Sequence, residues 1–175
     1  MRAIGFRANP NHVTYAVVEG EASPLAEDFT VVSTGAVPVP KALWVPEQLH
    51  FIRTVLLDVM DDLEVTRAGI RLTESVALSR SEFRDNIEGV IQELLASSTV
   101  ESYVAGGNGV LSARLGLSDK KLFKQYCKGE KAPEFAKGWA TLKLEQREAV
   151  LAAIASLRSE SVASSTTIAI AGMDS

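Results

Sequence analysis

The chain has 175 residues, 46% of them apolar and 23% charged, with a formal net charge of −4. That length suits one hydrophobic core, and the acidic balance argues against a protein that coats nucleic acid indiscriminately. A solitary cysteine, Cys127, excludes an internal disulfide and has no Cys/His cluster of zinc-site spacing around it, so a buried helical thiol and a reducing compartment are expected. No apolar run reaches membrane-spanning length. The N-terminus enters a strand pattern directly, without the basic and apolar regions of a signal peptide, and the expected location is cytoplasmic with no membrane partner.

Residues 3–18 (AIGFRANPNHVTYAVV) read as a strand, a tight turn and a returning strand. Phe29 to Val37 is β-branched and bounded by Gly35 and two prolines, which predicts a third strand and an antiparallel meander. Pro46 opens a helix with Leu49, Ile52, Leu56, Val59 and Leu63 on one buried face. Its Asp58, Asp61 and Asp62 read as a solvated face rather than a metal site. Ala68 to Thr73 is a short strand ending at Glu74, and a second helix covers 81–96. Gly89 within that helix costs roughly 1 kcal/mol against alanine, so it is expected to permit close packing.

Val100 to Val104 is a further strand, closed by Gly106, Gly107, Asn108 and Gly109. This cluster lacks the Lys-Ser/Thr ending of a phosphate-binding loop and reads as a turn. Ser118 and Asp119 start a helix in which Leu122, Phe123 and Tyr126 face inward, and Gly129 closes it. Leu144 to Leu157 forms the last helix, with Leu151 and Ile154 on its inner face. The stretch 166–173 (TTIAIAGM) is either a strand added to a sheet edge, here or on a partner, or an untethered terminus. No repeat or linker divides the chain, so residues 1–160 are expected to form one domain, with 161–175 a tail or added edge strand.

Charge is distributed unevenly. Between Arg114 and Lys143 eight bases face three acids, a local net of +5 that leaves −9 for the rest of the chain. Lys120, Lys121, Lys124 and Lys128 span about two helical turns and project largely to one side. Such a patch either meets phosphate or is a solvated face. His12 and His50 have no partners at metal-ligand spacing, so a solvent-exposed or packing role is expected for both.

The opening Gly5-Phe6-Arg7-Ala8-Asn9 resembles the Gly-Ile-Asp-Pro-Gly turn of the RuvC-type Holliday junction resolvases, in the ribonuclease H-like superfamily. Ile70 to Glu74 resembles the family strand that ends in its second catalytic carboxylate, and Asn86 to Val90 the glycine-bearing helix packed on it. Gly116 to Lys121 resembles the approach to the family's lysine, and Glu145 to Ala152 its closing helix with the last two acids. The resemblance covers roughly residues 1–158. It implies an α/β ribonuclease H-like fold, a mixed sheet with an N-terminal three-strand antiparallel meander and flanking helices. It also implies a homodimer, although the sequence identifies no face for one.

Phosphodiester hydrolysis in such enzymes uses two Mg²⁺ about 4 Å apart, held by carboxylates that converge from separate elements. The resemblance assigns the four catalytic positions to Arg7, Glu74, Glu145 and Glu148. Arg7 replaces the aspartate that bridges both metals, which removes a ligand and adds a cation that repels Mg²⁺. No Asp or Glu lies between Met1 and Val18, so a register slip does not restore it. Arg7 is expected to pair with Glu74 or Glu148. The preferred expectation is a non-catalytic module, without a cofactor, that binds nucleic acid through Lys120, Lys121, Lys124 and Lys128, or binds a protein partner. The alternative is a Mg²⁺-dependent endonuclease with a remodelled Glu74/Glu145/Glu148 site. A third reading, an actin-like ATPase relative, needs a duplicated domain for which the chain is too short.

Overall fold

The computed structural model of the protein describes residues 1–74 and 81–158, so the expectations for 161–175 lie outside the described residues. Three strands open the chain, β1 (Arg2–Ala8), β2 (His12–Gly20) and β3 (Phe29–Pro38). Helix α1 (Val45–Asp62), strand β4 (Arg67–Arg71), helix α2 (Glu82–Ser97) and strand β5 (Ser102–Gly106) follow. The rest is helical: α3 (Asn108–Arg114), α4 (Lys120–Lys128), a short 3-10 turn at Trp139–Thr141 and α5 (Leu144–Leu157).

The sheet runs β3-β2-β1-β4-β5. The meander is antiparallel, while β4 and β5 add in parallel on the other side of β1. The expected mixed α/β sheet with its three-strand meander is therefore present.

Alternation along the two central strands decides what each face can carry. Ile4, Phe6 and Ala8 of β1, with Ala68 and Ile70 of β4, join Ile52 and Leu56 of α1 and Ile87 and Ile91 of α2 in one buried core. The opposite face of the same strands reads Ala3, Gly5, Arg7 and Arg67, Gly69, Arg71, residues paired across the β1–β4 register. Here α5 packs so closely that a Cβ on Gly5 would overlap the Ala149 carbonyl and one on Gly69 the Ala152 carbonyl. Two facing glycines thus admit a helix backbone to the sheet, and the arginines bracket its two ends.

From Glu148 to Leu157 every residue of α5 is buried, not only the face of Leu151 and Ile154. The reason is a second layer: Leu111 and Leu115, Phe123 and Cys127, and Trp139 share one core with it. A helix apolar all round is a central one.

The local signals act as expected at most helix ends. Ser81 Oγ accepts from Arg84 N at the start of α2, and Asp119 Oδ1 accepts from Lys121 N at 2.8 Å at the start of α4. Gly129 ends α4 in the left-handed region at φ 75°. Three expectations need correction. Strand β5 starts and ends two residues later than the pattern of 100–104 suggests. The glycine cluster is not a turn alone, since Gly107 caps α3, which Gly109 had masked through its low helix propensity. Gly89 lies on the exposed side of α2 with nothing near a Cβ, so close packing does not account for it.

Candidate functional site

Arg7 and Arg71 are register partners near the C-terminal ends of adjacent parallel strands, both turned toward α5. Two neighbouring guanidiniums require anions, and two helices supply them. Arg7 Nε donates to Glu148 Oε2 at 2.7 Å, and its Nη1 lies 3.6 Å from Glu88 Oε1. The same Nη1 donates to the Arg71 carbonyl at 3.2 Å and Thr73 Oγ1 at 3.4 Å. Arg71 Nε lies 3.8 Å from Glu148 Oε1, and its Nη1 donates to the Leu72 carbonyl. Glu88 is fixed in turn by Thr73, whose N–H donates at 3.1 Å and whose hydroxyl donates at 2.7 Å.

The four side chains are between 8% and 14% exposed, and two cations balance two anions. Burial pulls the Arg71 guanidinium below its ordinary pKa, while Glu148 opposes that shift and Arg7 adds to it. Arginine nonetheless stays protonated in proteins, so the network keeps its charges.

Glu145 is one turn earlier on α5 and has a different set of partners. It accepts from Asn9 Nδ2 at 2.7 Å, His12 Nε2 at 2.6 Å and Thr14 Oγ1 at 3.0 Å. Asn9 also closes the hairpin, its Oδ1 accepting from the backbone of Asn11 and His12. Burial alone would raise the Glu145 pKa, but the three hydrogen bonds and the His12 charge outweigh it, and the net shift is downward. His12 therefore has a carboxylate partner that spacing along the sequence concealed. A partner 133 residues away leaves no local signal.

Glu74 follows β4 and does not pair with Arg7. Its Oε1 accepts the Asn108 N–H at 2.7 Å, capping the first turn of α3. A Cβ on Gly107 would crowd that carboxylate, whereas one on Gly109 would meet nothing within 4 Å. Lys120 opens α4, and Lys121, Lys124 and Lys128 are exposed along it. Lys124 and Lys128 share a cavity of about 180 Å³ with Arg71, Cys127 and Glu148. Basic helix and ion network are thus adjacent. Burial pushes the Cys127 thiol up to about 12, so it is a packing group rather than a nucleophile, as its helical position suggested.

Glu74, Glu145 and Glu148 are each engaged by a different partner: one caps a helix, one holds His12 and one holds Arg7. Among the described residues no three His, Cys, Asp or Glu side chains are grouped to hold a metal ion. Glu148, the best-placed acid, is already bound by a fixed cation that would repel Mg²⁺. The donor set does not fit a two-metal centre. Glu88, absent from the candidate residues, enters the network because α2 aims it at the end of β4. Its signal in the sequence was an acid on the otherwise apolar face of Ile87 and Ile91.

No protein-family model matches the sequence, and no curated protein matches it. Among solved structures, one of Thermus thermophilus RuvC superposes with a TM-score of 0.64 at 14% identity, covering 89% of this chain and 92% of the other. A structure of T. thermophilus RuvC in complex with a Holliday junction substrate gives 0.60 over the same shares, also at 14% identity. No helix among the described residues is long and apolar enough to cross a membrane. The sheet order, the central buried helix and these superpositions together establish that the chain has a RuvC-like, ribonuclease H-like fold.

Proposed function

We propose that this chain is a non-catalytic RuvC-like module that binds nucleic acid through phosphate contacts from α4. The observation that carries the loss of catalysis is the 2.7 Å bond from Arg7 Nε to Glu148 Oε2. Charge balance is achieved inside the protein by two arginines and two glutamates. Among the described residues, cleavage by metal-activated water has no group of three metal-ligating side chains to build on.

The binding half rests on placement. Lys121, Lys124 and Lys128 are exposed on one helix, with Lys120 at its start, and the last two of the three border the ion network. The structural neighbour bound to a junction points to the same class of ligand. A protein partner remains the second version of the binding role, and the remodelled Glu74/Glu145/Glu148 endonuclease is disfavoured by the separate engagement of each acid.

Fluorescence anisotropy with four-way junctions and linear duplexes at low salt tests the reading. Affinity should fall steeply with salt, and Lys121→Glu with Lys124→Glu should weaken all sequences alike, because phosphate contacts position without reading bases. Neither junctions nor RNA–DNA hybrids should be cleaved with Mg²⁺ or Mn²⁺. Cleavage lost on Glu74→Gln would restore the nuclease; absence of binding at low salt would transfer the role to a protein partner.

A further inference from the structure

The cavity beside the ion network has a composition of its own. Arg71, Lys124 and Lys128 bring three positive charges to it and Glu148 one negative, a local net of +2 on a chain whose net is −4. The negative charge is not free, because Arg7 holds Glu148 Oε2 from the other side. Arg71 lines the cavity and is 7% exposed, with its buried Nε turned to Glu148 Oε1 at 3.8 Å. A guanidinium lining a cavity matches the geometry of a tetrahedral oxyanion. The volume, about 180 Å³, is several times the ~30 Å³ share of a water molecule and leaves room for a phosphate group.

We infer that this cavity is a metal-free seat for one phosphate group, lined by the Arg71 guanidinium at the end of β4 and by Lys124 and Lys128 of α4. In two-metal chemistry a phosphodiester is held by cations that also activate water; here the cations are side chains, which hold the group without coordinating a water. Cys127 on the cavity wall stays a thiol and offers no attack on phosphorus. As a seat for a phosphodiester the inference rests on the nucleic-acid reading above. A free phosphate or phosphomonoester has the same recognising chemistry.

Thermal shift with inorganic phosphate, at constant ionic strength on the full chain, reads the seat directly. Phosphate should raise Tm in a saturable way through linkage, equally in EDTA and in Mg²⁺. Lys124→Gln with Lys128→Gln, both exposed and safe for folding, should weaken the apparent affinity about tenfold or more, as two charge-assisted contacts are lost. Arg71→Lys keeps the charge without the fork and should weaken it too. No saturable shift, or one unchanged in the double lysine variant, overturns the seat. Oligonucleotide binding measured beside it separates the two claims. Oligonucleotides bound with no phosphate effect leave the nucleic-acid reading and remove the seat. Phosphate bound through these lysines without oligonucleotide binding keeps the seat, removes that reading and identifies a small phosphate compound as the source.

Discussion

Glu148 and Glu145 are one turn apart on α5, yet one is locked by arginine and the other by histidine, asparagine and threonine. The Glu148 side chain is 9% exposed and its partners keep their charge over any ordinary pH; the Glu145 side chain is 32% exposed and depends on groups that can exchange with water. Identical residue types on one helix therefore become a fixed structural ion and a solvent-coupled one. The strand opposite makes the difference: β1 offers Arg7 to the first, and the hairpin end at Asn9, His12 and Thr14 meets the second.

Both clusters depend on how closely α5 lies on the sheet, so the largest effect is expected from Gly5→Val. A side chain there meets the Ala149 carbonyl and Ala153 N, backbone atoms that cannot yield without moving the helix. Loss of cooperative unfolding, or at least about 3 kcal/mol of stability, is expected in a denaturant titration. A variant as stable as the native chain would show that the glycine contact does not set the position of α5.

Arg7→Met separates the clusters. It strands Glu88 and Glu148 without their shared cation, and breaking a buried pair from one side costs about 3–5 kcal/mol. Glu148→Gln should cost a comparable amount by freeing both arginines, and the two losses should not add when combined. Additivity would mean that Arg7 and Glu148 stabilise the fold independently. The Glu145 cluster, sharing no partner with this one, should keep its own pH response.

How much of this was legible in the sequence follows from where each signal lies. The meander, α1, α4 and α5 announce themselves through alternation, helical spacing and Asp119 or Gly129 at their ends. The missing acid at Arg7 was visible because the residues around it carry the family pattern. What could not be read was the division of the acids among partners, because Glu74, Glu145 and Glu148 find Asn108, His12 and Arg7 at separations of 34, 133 and 141 residues. Glu88 and Arg71 were hidden for another reason. Each is a charge in an apolar stretch, and only the crossing of α2 over the end of β4 brings them to one network.

The Glu145 cluster should make stability depend on pH. Glu145 has a folded pKa held below its ordinary value of 4.5, so its contribution is complete above that value and is lost as pH falls through the lower folded value. The gap in Tm between native protein and Glu145→Gln should therefore be widest near neutrality and narrow in acid. A gap that stays constant from pH 7 to 3 would show that the carboxylate is not stabilised by Asn9, His12 and Thr14.

The smallest effect serves as the control for Glu88. Gly89 follows it on α2, is exposed and meets nothing within 4 Å of a would-be Cβ, so the glycine supplies only backbone freedom there. Gly89→Ala should stabilise the chain by about 0.5–1 kcal/mol, the helical cost of glycine against alanine. Because the added methyl points to solvent and the network lies on the buried side, this gain should add to the Arg7→Met loss within about 0.5 kcal/mol. Urea titrations of the two single variants and the double variant measure it. A marked departure from additivity would mean that the network holds Glu88 through the flexibility of its helix as well as through charge, and the division between a fixed and a solvent-coupled carboxylate would then have a conformational component that burial and partners alone do not explain.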